Sequence, residues 1–180
     1  FEEWMMSIDF NTYLQGITVM SSQVKKILVD NGVKIPIYVC GLGLDHIDQI
    51  KVDLDFKIHA KKYRILHISS CFPRKGVDIL LKAYCDTFTV KDDVSLIIKT
   101  FKNPHNHIED YIEEIKEKNS QAPDIILIQD DLTDNEIKSL FLQSDLLVAP
   151  SRGEGFGFPI GEAMRMGVPV LTTAWGGQMD

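Results

Sequence analysis

Glu154 and Glu162 flank the run GFGFPIG, so two carboxylates stand with seven residues between them in a glycine-rich stretch. The apolar run DLLVAP precedes them and VPVLTT follows. Gly153, Gly155 and Gly157 let the backbone turn tightly and let a ligand approach it closely. Pro159 suits the first turn of a helix, and Gly167 suits its left-handed end. The segment reads as strand, glycine loop, short helix and buried strand, which sets helix N–H groups and their partial positive charge beside an anion. Glu154 is expected in the loop, facing a pocket. Glu162 is expected in the first helical turn, pointing back towards the same pocket. Two carboxylates beside a phosphate cradle suit a ligand with both hydroxyls and phosphate, and a sugar nucleotide meets that description.

The scaffold that must hold these groups is an alternation of strands and helices. GITVMSS and IPIYVCGL read as strands on either side of the helix SQVKKILVDNG, whose Val24, Ile27 and Leu28 share one face. Residues 43–62 are polar, without a clear period, and read as a connector. KYRILHISS is a buried strand leading into the loop CFPRKG. The next helix places Val77, Leu80, Leu81, Tyr84 and Phe88 on one stripe. DVSLIIKT and DIILIQ are two further strands separated by the charged helix HIEDYIEEIKEKN. Thr133 and Glu136 form a capping box at the start of TDNEIKSLFLQ, which buries Ile137, Leu140 and Phe141. The expected fold is α/β: a Rossmann-like parallel sheet with flanking helices. Its ligand-binding loops, 69–76, 100–107, 129–133 and 150–158, converge at one sheet edge.

Several of these segments together resemble retaining, nucleotide-sugar-dependent glycosyltransferases of the GT-B fold, the glycogen synthase and sucrose synthase-like group. ILHISSCFPRKGVDILLKAY resembles the first strand, phosphate loop and helix of the donor-binding domain. DDLTDNEIKSLFLQSDLLVAPSRGEGFGFP resembles the approach to the family's glutamate pair, and AWGGQMD the loop after it. GITVMSSQVKKILVDNGVKIPIYVCGLGLDHI resembles the segment leading in from the acceptor domain. The resemblance implies an acceptor-side remnant over 1–45, a linker over 46–62 and a donor-binding domain over 63–180, incomplete at its end. Because the chain opens on Phe1, a processed chain or an excised fragment is expected, and with most of the acceptor side missing it is expected to bind nucleotide weakly and transfer no sugar alone.

The resemblance also distributes roles. Glu162 accepts hydrogen bonds from the ribose hydroxyls, and Glu154 contacts the donor sugar near its reacting face. Lys75 neutralises the leaving phosphates. Gly155, Phe156, Gly157, Phe158, Pro159 and Ile160 line the donor chiefly through their backbone. Lys99, Asp130 and Leu132 mark the nucleobase end. The family's usual Gly-Arg before the phosphate-loop lysine is here Ser69-Ser70, so Ser70 offers a hydroxyl where an arginine would bring charge. Arg74 is expected on the surface. The loop wording points to GDP-mannose as donor, with UDP-hexoses beside it, and to a mannosyl or other hexosyl transfer in polysaccharide or glycoconjugate synthesis. A degenerate nucleotide-sugar-binding module with a scaffolding role is the alternative.

Composition excludes more than it selects. A net charge of −7 argues against bulk nucleic-acid binding. No apolar run approaches the roughly 20 residues of a membrane-spanning helix. Cys40, Cys71 and Cys85 lack zinc spacing and read as reduced thiols of a cytoplasmic protein. His105 and His107 form an H-x-H pair beside Glu109 and Asp110 but have no third ligand at an established spacing. His67, inside an apolar strand, reads as a satisfied core residue. The family implies no metal and no cofactor beyond the nucleotide-sugar co-substrate, and a glycan or lipid-linked acceptor. Peripheral attachment of the parent protein to the inner face of the membrane stays open.

Overall fold

The structure, a computed structural model, describes residues 9–180. The first residues of the expected acceptor-side remnant, 1–8, lie outside the described residues. The chain divides into two compact units. One holds the N-terminal segment up to Gly43 together with Gly153–Gly157 and Ala174–Asp180. The other holds Leu44–Arg152 and Phe158–Thr173.

In the smaller unit, α1 (Phe10–Tyr13) precedes β1 (Ile17–Val19), α2 (Ser22–Asp30) and β2 (Ile37–Val39). β1 and β2 pair in parallel with Ile17 opposite Ile37, and α2 covers them through Leu28. Ser21 caps α2 by accepting from Val24 N at 3.3 Å. The Asp180 carboxylate accepts from Ser22 N at the same helix start. A negative group there is favoured by the helix dipole. Glu154 belongs to this unit: its carbonyl accepts from Gly177 N at 2.9 Å. A methyl group on Gly177 would sit 1.9 Å from Gly155 O, so only glycine allows the two backbones to meet.

The larger unit runs through α3 (His46–Gln49), β3 (Tyr63–Ile68), a 3₁₀ turn (Pro73–Lys75), α4 (Val77–Thr87), β4 (Val94–Lys99), α5 (Ile108–Lys118) and β5 (Asp124–Ile128). It ends with α6 (Asp134–Leu142), β6 (Leu146–Ala149), α7 (Phe158–Arg165) and β7 (Val170–Thr172). The sheet order is β5-β4-β3-β6-β7 and every pair is parallel. Period-two patterning sorts its side chains between two cores. Ile65, Leu96 and Ile98 meet Leu80, Leu81, Tyr84, Ile108 and Ile112 of α4 and α5. Leu66, Ile97 and Leu147 meet Leu140, Phe141, Ile160 and Ala163 of α6 and α7. Burial of one such side chain is worth about 1.5–3 kcal/mol, several times a typical exposed ion pair. The two layers therefore hold the unit together, and the surface charges adjust it.

The α/β reading holds, and so do the capping box at Thr133, the stripe on α4 and the left-handed Gly167 at φ 77°. Two expectations change. VPVLTT is not a buried strand: β7 lies at the sheet edge and Leu171 is 60% exposed. The polar stretch 43–62 is pinned rather than merely connecting. Ser139 Oγ accepts from Asp53 N and donates to Asp53 O, while Gln143 clasps Phe56 O and Ile58 N. Ile47 and Ile58 are buried beneath it.

Strand order reverses between β3 and β6, and there two loops approach closely. Gly76 ends the 3₁₀ turn at φ 71°, and a methyl group on it would lie 2.1 Å from Pro150 O. Arg152 ties the same loop down. It grips the Asp78 carboxylate with two hydrogen bonds, at 2.9 and 2.7 Å, and donates to Pro73 O. Gly76→Ala is expected to destabilise the larger unit by about 2 kcal/mol or more, read by urea unfolding, because strain and collision add. The Arg152 hydrogen bonds hold the Asp78 carboxyl below the usual carboxylate range. The pair's contribution is therefore complete above a pH of about 4 and is lost as pH falls through the lowered value. Solvent screening limits it to at most about 1 kcal/mol. Asp78→Asn is expected to cost that much at neutral pH and nothing in strong acid.

Candidate functional site

In a parallel sheet every strand ends at the same edge, so the loops after β3, β4, β5 and β6 share one rim, centred on the β3–β6 switch point. Contacts between the loops confirm their proximity. Asn103 Nδ2 donates to Ser70 O at 3.0 Å, and the His105 ring lies edge-on to Phe72 with centroids 5.6 Å apart. Arg152 N donates to Arg74 O at 2.7 Å. Lys75 closes the 3₁₀ turn and is partly buried, whereas Arg74 is exposed, as expected of a surface residue. The rim therefore gathers Ser70, Lys75, Lys99, Asp130 and Leu132 from the carboxyl ends of three neighbouring strands, β3, β4 and β5.

Their side chains differ in what they can offer. Lys99 is buried at the end of β4 and donates to Thr100 O at 2.8 Å. Ser69 takes a structural part: its hydroxyl lies 2.8 Å from His67 Nε2 and accepts from Cys71 N. His67 is fully buried, with Nδ1 2.9 Å from Val148 O, which fits the core reading. Burial pushes the Cys71 thiol up from its ordinary value, so it stays protonated and unreactive. Asp130 is exposed, and Leu132 packs against the α6–α7 core. Ile160 lies inside that core, leaving only its backbone for a ligand. Ile160 and Gly161 stand in the first turn of α7, where N–H groups lack intrahelical acceptors.

The two glutamates fall in different units: Glu154, Gly155, Phe156 and Gly157 in the smaller one, Phe158, Pro159, Ile160 and Glu162 in the larger. Glu162 is not in the first helical turn. α7 begins at Phe158, one residue before the proline, which moves Glu162 into the second turn. There Glu162 Oε1 lies 3.2 Å from His46 Nε2. It also lines a small cavity of about 100 Å³ with Ile47, Asp134, Lys138 and Met166. The Phe158 ring is exposed at 39% and meets the His46 ring edge-on, rather than packing beneath the loop.

His46 and its supports lay outside the sequence reading. Arg165 binds Asp48 and Asp45, holding the Asp48 carboxyl below the usual range. Lys138 donates to Ile47 O and Ile50 O, both at 2.7 Å, at the carbonyl end of α3. A lysine set among Ile137, Leu140 and Phe141 was the one available signal, since a charge beside a buried stripe must find a partner.

A larger cavity lies away from this rim. It is about 480 Å³, between α4 and α5, with Leu81, Cys85, Tyr111 and Ile115 in its walls. Its lysines are paired within their own helices, Lys82 to Asp86 and Lys118 to Glu114, so it presents no converging polar groups. Among the described residues no group of three or more histidines, cysteines and acids could hold a metal.

The family described as glycosyl transferases group 1 matches residues 49–180. Over 162 residues the chain is 30% identical to the MMP alpha-(1->4)-mannosyltransferase of Mycolicibacterium hassiacum, covering 89% of this chain and 37% of that protein. The sucrose-phosphate synthase of Thermosynechococcus elongatus has a similar structure, with a TM-score of 0.77 at 20% identity over 98% of this chain and 45% of that one. HepE of Anabaena, solved in complex with UDP and glucose, gives a TM-score of 0.77 at 21% identity over 99% and 50%. The chain thus spans half or less of the length of these relatives. With a parallel sheet, a loop rim at its switch point and a family match over most of its length, the chain belongs to the glycosyl transferases group 1 family and has the Rossmann-like architecture of the GT-B glycosyltransferases.

Proposed function

We propose that the chain is the donor-binding part of a retaining glycosyltransferase that moves a hexosyl group from a nucleoside diphosphate to a glycan or lipid-linked acceptor. The observation that supports this reading is the shared rim of the parallel sheet, where the strand before Lys75 and the strand ending at Lys99 finish on the same side, in a chain of this family. Lys75 and the backbone N–H groups of α7 neutralise the diphosphate as the sugar leaves, a task that needs no metal. Glu162 accepts from the ribose hydroxyls, its two oxygens matching a cis-diol. Glu154 stabilises the positive charge that develops on the sugar ring. The match to a mannosyltransferase favours mannose as the sugar, and we retain GDP-mannose as the leading donor, with UDP-linked hexoses next.

A scaffolding role for a degenerate donor domain has one observation in its favour, the Ser69-Ser70 pair. A serine carries no charge, and Ser69 is already hydrogen-bonded to His67 and Cys71. Paired substitutions separate the two readings. In the glycosyltransferase reading, Glu154→Gln lowers sugar transfer by about 10²–10³-fold with little change in nucleotide affinity. Glu162→Ala weakens nucleotide binding by about 10–100-fold, the worth of a charged hydrogen bond. Transfer is followed by nucleoside diphosphate release in the whole protein, since this part alone is expected to transfer no sugar, and binding by calorimetry. Nucleotide bound equally well by all variants, with no transfer by any, would leave only the scaffold.

A further inference from the structure

Four residues on one face of α7, Phe158, Gly161, Glu162 and Arg165, meet the segment Leu44–Asp48 in turn. The spacing is that of neighbours on a helix surface. The Phe158 ring lies 6.2 Å from the His46 ring, edge-on. Leu44 lies so close to Gly161 that a methyl group there would stand 2.7 Å from its Cδ1. His46 reaches Glu162, and Arg165 reaches Asp45 and Asp48. A helix of four residues has little stability of its own. α3 is instead held by Arg165 on one side, by Lys138 at its carbonyl end and by the buried side chain of Ile47 beneath. The imidazole is thus presented to Glu162 from a fixed base.

We infer that His46 is a positioning residue for Glu162, fixing the carboxylate in the orientation that receives the two ribose hydroxyls of the nucleotide. This inference rests on the assignment of Glu162 to the ribose. A carboxylate can only accept, so His46 donates from Nε2 to Oε1. One such bond occupies one of about four acceptor sites on the group, leaving enough for a cis-diol. What it removes is rotamer freedom. A glutamate on a helix samples several side-chain orientations, and a donor that holds one of them spares the ligand that ordering step. Glu162 is only 19% exposed at its side chain, whereas His46 is 46% exposed, so the imidazole supports the carboxylate from the solvent side.

The test pairs protein variants with nucleotides that lack the hydroxyls. Calorimetric titrations with GDP and UDP, and with their 2′,3′-dideoxy forms, are run on the unaltered chain, His46→Ala, His46→Gln and Glu162→Ala. His46→Ala is expected to weaken the favoured ribonucleotide by about fivefold to tenfold, the worth of one hydrogen bond. It leaves the dideoxy form unchanged, and His46→Gln, which keeps an N–H donor, recovers most of the loss. Equal weakening of both nucleotide forms by His46→Ala would make the residue merely structural and overturn the inference. Discrimination lost in Glu162→Ala but intact in His46→Ala would overturn it too, while sparing the ribose assignment. A Glu162→Ala chain that still discriminates, or an unaltered chain that binds neither nucleotide, would remove the assignment and the inference with it.

Discussion

Gly76 has no side chain, and the larger unit depends on that. Its backbone backs onto the Pro150 carbonyl at a distance no β-carbon could tolerate, which joins the loop after β3 to the end of β6. These are neighbouring strands whose chains then depart in opposite directions, which makes this the switch point of the sheet. The constraint therefore acts at the position where a phosphate would be received. Arg152 reinforces it by holding Pro73 and Asp78, so that Lys75 projects from a turn fastened on both sides. The two apolar cores fix the strands, and this close approach fixes the loops they carry.

The regular elements could be read from the sequence because their signals are local. Thr133 and Glu136 cap α6 across three residues, and the α4 stripe repeats at helical spacing. Continuous burial along β3 and β4, with successive side chains entering opposite cores, follows from the pleat of a sheet covered on both faces. Residues 43–62 behaved differently because their anchors are polar and distant. Asp53 meets Ser139, 86 positions away, and His46 meets Glu162, 116 positions away. No periodicity records such pairs. Leu171 shows the opposite error: apolar letters predicted burial where the sheet order makes an edge.

The site residues divide along the same line. Ser70, Lys75, Lys99, Asp130 and Leu132 follow strands, so topology alone carries them to one rim. Glu162 falls just past the first turn because Phe158, one residue before the proline, opens α7. Its carboxylate stands within reach of His46, which gives it a partner before any ligand arrives. Glu154 is held differently, by a loop whose backbone is closed against Gly177 within the smaller unit. The two carboxylates thus have separate supports.

The central claim is that a nucleotide binds at the carboxyl rim of the five-stranded sheet and not in the larger groove between α4 and α5. Amide spectra of the chain, recorded while GDP or UDP is added, test it most directly. The account predicts shifts confined to residues 69–76, 99–101, 129–133 and 158–162 for the larger unit, with Lys82, Asp86, Glu114 and Lys118 unmoved. Shifts clustered on those four groove residues, or none at the rim, would contradict it.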